Sequence, residues 1–181
     1  MAEPRVLVLG DSFIRRLRLF LSRDSYHFSV DFKLSHRAFL KWHGFGGRTV
    51  SKTLHLDLNV IESFRPEIVI MQLGSNDLTD SDPLHVGSAI EDFDRLLHNN
   101  YGVKVVCVCQ TIMRQGAVVF NRKAKLLTKY LRVFFWSLYL MLSFGAIGDF
   151  GARLRTFTHV MVCISIPSVR KNTIVVIGEQ S

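Results

Sequence analysis

Short apolar runs alternate along this chain with longer stretches of helical periodicity. Arg5 to Leu9 is a β-branched and leucine run that breaks at Gly10, and Phe13 to Leu21 then interleaves apolar residues with arginines at helical spacing. A second strand is predicted within His27 to Leu34. A glycine-rich turn follows at Gly44-Phe45-Gly46-Gly47, and Thr49 to Phe64 has mixed helical periodicity, closed by Pro66. Ile68 to Leu73 is continuously apolar, as a strand buried on both faces must be, and ends in the polar loop Gly74 to Asp82. His85 to Asn99 is amphipathic, with Ile90, Phe93, Leu96 and Leu97 on one side; Val103 to Cys109 is a further apolar strand, and Val118 to Leu131 a further helix. Buried strands alternating with helices predict an α/β fold, a three-layer, doubly wound parallel sheet whose functional residues sit at the carboxyl ends of the strands.

The pattern changes near Leu131. Val133 to Gly148 carries no charged residue, and Arg153 to Ser181 has no clean amphipathic period. The chain therefore divides into residues 1–132, which obey the α/β grammar, and an atypical tail, 133–181. Sixteen uncharged residues fall short of the roughly 20 that a membrane-spanning helix needs, so no stable membrane insertion is expected.

Composition alters this picture little. With 181 residues, 48% of them hydrophobic, the chain can bury one core. Val106-Cys107-Val108-Cys109 places two of three cysteines inside an apolar run, as buried strand thiols rather than a disulfide framework. The short run at Val6 to Leu9 is no signal-peptide core, and a cytoplasmic location is expected. The net charge of +8 is spread over the chain. The densest cluster, Arg122-Lys123 with Lys125, Lys129 and Arg132, has the helical spacing of a solvated face, and no nucleic-acid partner is expected.

Three polar or glycine-rich clusters fall where strand ends converge: Gly10-Asp11-Ser12, Gly46-Gly47-Arg48-Thr49 and Gly74-Ser75-Asn76-Asp77. Taken singly, Ser12 reads as a helix N-cap, Gly47 as a turn glycine and Asn76 as a loop residue bonding its own backbone. A serine between a strand and a helix also suits a nucleophile that must stabilise a developing oxyanion.

In this order the three clusters resemble blocks I, II and III of the SGNH hydrolase superfamily, which includes the GDSL esterases and lipases, over roughly residues 5 to 132. The resemblance implies a flavodoxin-like sheet of about five strands and acyl-ester hydrolysis on a small substrate without metal or cofactor. It implies Ser12 as nucleophile, with the Ser12 and Gly47 N–H groups and the Asn76 amide as oxyanion donors. It also implies a C-terminal Asp-x-x-His block supplying the base. Residues 133–181 hold no such block; their one histidine, His159, has Thr156 three positions before it. The string Asp82-Pro83-Leu84-His85 lies just after block III and reads as a helix start, and His27, His36, His43, His55 and His98 have no carboxylate at a suggestive spacing.

The genetic code offers a reason. Read from the third base of each codon, the codons for Val160 to Ile166 permit the peptide DGVHLN, with the glycine forced by the methionine codon; those for Phe144 to Gly151 permit WRHRGFW. A one-base slip or misplaced splice junction near residues 131 to 135 is thus expected to have replaced the native C-terminus. The expected activity is weak or absent. The rival readings are a non-catalytic binding protein derived from the same fold and a basic nucleic-acid-binding protein.

Overall fold

The structure, a computed structural model, describes residues 3–23 and 37–143. Its elements run β1 (Arg5–Gly10), α1 (Ser12–Arg23), β2 (Phe39–Gly44), α2 (Val50–Leu56), α3 (Leu58–Phe64), β3 (Ile68–Gln72), α4 (Asp77–Asp80), α5 (Pro83–Tyr101), β4 (Val105–Val108) and α6 (Val118–Ser143). The four strands form one parallel sheet in the order β2-β1-β3-β4. From β1 the chain moves one way along the sheet to β2, then turns back over β1 to β3 and on to β4. Right-handed crossovers place the helices of these two journeys on opposite faces.

Side-chain alternation agrees. Leu7 and Leu9 of β1, Val69 and Met71 of β3, and Val106 and Val108 of β4 all enter one core with Val50, Ile61, Ile90, Phe93, Leu97 and Leu127 from α2, α3, α5 and α6. Val8 and Ile70, one position out of phase, turn to the other face, where they line a shallow apolar groove with Ile14 and Leu17 of α1. The α/β sandwich expected from the sequence is thus present, with four strands among the described residues.

Two boundaries differ from expectation. The second strand lies at Phe39–Gly44, not in His27 to Leu34, which is outside the described residues. It reads poorly as a strand because none of it is fully buried and it carries Lys41 and His43. The last helix runs on through Leu131 to Ser143, across the point where the sequence changes character. Beyond Ser143 the atypical tail, His159 included, lies outside the described residues. Among those residues no helix is long and apolar enough to cross a membrane.

Candidate active site

Strand register sets the site. Gly10, the last residue of β1, is paired with Gly44 at the end of β2 on one side and with Gln72 at the end of β3 on the other. The segments carrying Ser12, Gly47 and Asn76 therefore leave the sheet side by side at its carboxyl edge. The chain reverses direction across β1 and β3, which makes this the topological switch point where ligands bind in open parallel sheets.

Gly10 leaves no room for a side chain. A Cβ there would stand 2.5 Å from the Gln72 carbonyl oxygen and 2.6 Å from Ile14 Cγ1. The turn after it is held by Asp11, whose N–H donates to the Gln72 carbonyl at 3.3 Å and whose Oδ1 accepts the Phe13 N–H at 2.8 Å. Asp11 thus does the capping that sequence alone would give to Ser12. Ser12 is left half-buried as the first residue of α1. Burial pushes the Asp11 carboxyl above its ordinary value of 3.8, against the Phe13 N–H and the Arg16 and Arg114 cations, which pull it down.

The second segment is tied to the first by the Phe45 N–H, which donates to the Gly10 carbonyl at 3.1 Å. Gly47 lies exposed in this loop with φ of +69°, in the left-handed region that glycine takes without strain. A Cβ there would meet nothing within 4 Å, so backbone conformation alone favours glycine. Thr49 then caps α2, its hydroxyl accepting the Lys52 N–H at 3.1 Å.

The third segment closes on the second. Asn76 donates from Nδ2 to the Arg48 carbonyl oxygen at 2.7 Å, and Asp77 accepts the Val50 N–H at 3.1 Å on Oδ1 and 3.3 Å on Oδ2. The expectation that Asn76 bonds its own loop gives way to a contact 28 residues back in the chain. Burial raises the Asp77 carboxyl above 3.8, opposed by the Val50 N–H. Arg114, from the loop after β4, donates through Nη2 to the Ser75 carbonyl at 3.2 Å and stacks 3.9 Å from the Phe120 ring centroid.

Histidines depart from the sequence reading at two places. His43 Nε2 lies 2.8 Å from Asp57 Oδ1, and His98 Nε2 lies 3.4 Å from Asp94 Oδ1, so both have carboxylate partners. The His98 pair is spaced i, i+4 on α5 and could have been read from the sequence. The His43 pair spans β2 and the α2–α3 junction, which no local spacing announces. Asp82 commits its Oδ1 to the Leu84 N–H at 2.8 Å as the N-cap of α5, and His85 is exposed on that helix. The helix-start reading of Asp82-Pro83-Leu84-His85 therefore holds. The sequence reading named Arg48 in the second cluster, but not the Phe45 ring against it or the Asp57 carboxylate paired with it.

No protein-family model matches the chain, and no curated protein does. Solved structures do. A GDSL-like lipase from Bacteroides thetaiotaomicron superposes with a TM-score of 0.58 at 14% identity, over 93% of this chain and 76% of its own. The alpha/beta hydrolase LAE5, from the metagenome of Lake Arreo in Spain, gives 0.51 at 13% identity, over 73% and 74%. The acetyl xylan esterase AlAXEase gives 0.50 at 15% identity, over 70% and 71%.

Proposed function

We propose that this chain, which has the fold of the SGNH and GDSL-like hydrolases, is built around an acyl-ester site in which Ser12 is the nucleophile and Ser12 N–H, Gly47 N–H and the Asn76 amide are the oxyanion donors. The observation that carries this is the Asn76 Nδ2 to Arg48 carbonyl bond at 2.7 Å. It draws the asparagine of the third block onto the loop of the second, at the strand ends that also carry Ser12. Donors held in place before reaction stabilise a tetrahedral oxyanion without reorganising, and stabilisation of this kind usually lowers an acyl-transfer barrier more than any other single effect. Capping of the β1–α1 turn by Asp11 supports the reading further, because it leaves the Ser12 hydroxyl uncommitted to the backbone of its own helix.

Among the described residues two of the four histidines are committed to carboxylates and the other two are exposed. His43 gives its Nε2 to Asp57, His98 packs against Asp94 on α5, and His55 and His85 are exposed on α2 and α5. On the shifted-frame account of residues 133–181 the missing histidine belongs to a peptide that this chain does not encode in its own frame. A serine hydroxyl without a base is a poor nucleophile at neutral pH, and loss of the serine or histidine from a serine protease triad costs about a millionfold in kcat. On this reading the chain is an oxyanion site with a stranded nucleophile, impaired as an esterase.

Exogenous imidazole tests this. With p-nitrophenyl acetate, the chain alone turns over weakly or not at all, and added imidazole raises hydrolysis above the rate of imidazole plus Ser12→Ala. Equal rates for the two proteins overturn Ser12 as nucleophile. Robust turnover without imidazole that vanishes in Ser12→Ala overturns the impairment.

A further inference from the structure

Among the described residues, three charged or titratable side chains from separate segments meet behind the Gly47 turn. Asp57, 2% exposed, stands at the α2–α3 junction. Its Oδ1 lies 2.8 Å from His43 Nε2 and accepts from Arg48 Nη2 at 3.0 Å. Arg48 Nε stands 2.8 Å from Oδ2 as an ion-pair contact, off the line of a hydrogen bond. The Phe45 ring closes the group, with the Arg48 guanidinium carbon 4.9 Å from its centroid and the His43 ring edge-on at 4.9 Å.

Two features separate this cluster from an ordinary structural ion pair. Asp57 occupies the N-cap position of α3 yet makes no side-chain capping bond there; both carboxylate oxygens face Arg48 and His43 instead. Asp57 also holds Arg48 at two points, by a hydrogen bond to Nη2 and an ion-pair contact with Nε. The residue so fixed is the one whose backbone carbonyl accepts from Asn76 Nδ2. A primary amide has two N–H donors. With one committed to the Arg48 carbonyl, the amide is tethered there and its second N–H is left to donate elsewhere.

We infer that Asp57 is a positioning residue for the oxyanion site, holding Arg48 so that the Arg48 carbonyl holds the Asn76 amide. The inference rests on the reading of Asn76 as an oxyanion donor. A hydrophobic residue of similar size at position 57 would fill the same space without the desolvation cost of a buried charge. What it would not supply is a direction for Arg48.

The test uses the ¹⁵N-labelled full chain and the side-chain amide pair of Asn76, identified by its disappearance in Asn76→Asp. In Asp57→Asn and in Arg48→Met, that pair is expected to move toward the positions of an exposed asparagine and to exchange with water at least tenfold faster. Arg48→Met leaves Asp57 its His43 partner, so it reads the same link if Asp57→Asn does not fold. Either variant with its strand amide resonances in place and the Asn76 pair unmoved overturns the inference. A p-nitrophenyl alkylphosphonate with added imidazole standing in for the missing base, followed by mass spectrometry of the Ser12 peptide, tests the underlying reading separately. If the parent chain is not labelled at Ser12, the functional reading fails whatever the amide pair does. If it is labelled, both variants are to label at least tenfold more slowly, and an unchanged rate with a displaced Asn76 pair overturns the positioning role.

Discussion

Gly10 shows how one residue serves strand, turn and site together. Its backbone pairs with β2 and β3 at once, and the space where a Cβ would go is taken by the Gln72 carbonyl, which cannot be moved without parting β1 from β3. Gly10→Ala is expected to destabilise the chain by about 1–3 kcal/mol, the usual range for overpacking, read as a lowered urea midpoint at unchanged slope. A midpoint equal to the parent's would show that the strand ends are looser than these distances. At this scale the sequence singled out candidates wherever a residue's chemistry is unusual for its place, as with a serine and an asparagine close after buried strands. It was silent on Asp57, because an aspartate between two helical stretches is ordinary. What distinguishes it, burial against His43 and Arg48, arises only when segments 14 and 9 residues away fold onto it.

Elements were legible in proportion to their burial. β1, β3 and β4 are largely buried on both faces and so read as unbroken apolar runs, while β2, half-buried, did not. Helix α5 begins at Pro83, with Asp82 as its cap, and ends at Gly102 in the left-handed conformation, the proline-in, glycine-out asymmetry that marks helix ends. Within α5, Gly87 reads as a helix-weakening residue, yet α6 comes close to it. A Cβ there would lie 2.4 Å from Tyr130 Cδ1. Alanine would gain up to about 1 kcal/mol of helix propensity and lose about 1–3 kcal/mol by forcing the ring away. Gly87→Ala should therefore be net destabilising in urea denaturation, and Gly87→Ala with Tyr130→Leu less so; a stabilised single variant would mean that Tyr130 yields freely.

For the molecule as a whole, two carboxylates at the strand ends, Asp11 buried and Asp77 half-buried, act together. Asp11 and Asp77 both have raised folded-state values, chiefly through burial, and the like charge of Asp77 pushes Asp11 further in the same direction. The folded chain therefore holds protons that the unfolded chain has already released, in the window from the ordinary aspartate value of 3.8 upward to the raised ones. By linkage, these two groups make stability fall as pH rises through that window, and level off above it. Asp11→Asn is expected to flatten that part of the profile of thermal midpoint against pH, since asparagine can still accept the Phe13 N–H. An identical profile would show that Asp11 titrates as it does in the unfolded chain.

The strand order has a consequence for how the chain is made. β1 lies between β2 and β3, and Val6 finds its partner Ile68 roughly 60 residues later. At a synthesis rate of about 5–20 residues per second, β1 leaves the ribosome several seconds before β3 exists. During that interval Val6 to Leu9 is an apolar strand with an open edge, the kind of segment that pairs with whatever strand is nearest. The same central placement that brings three loops to one end of the sheet thus leaves the start of this protein with an unpaired apolar strand edge until the middle of the chain arrives.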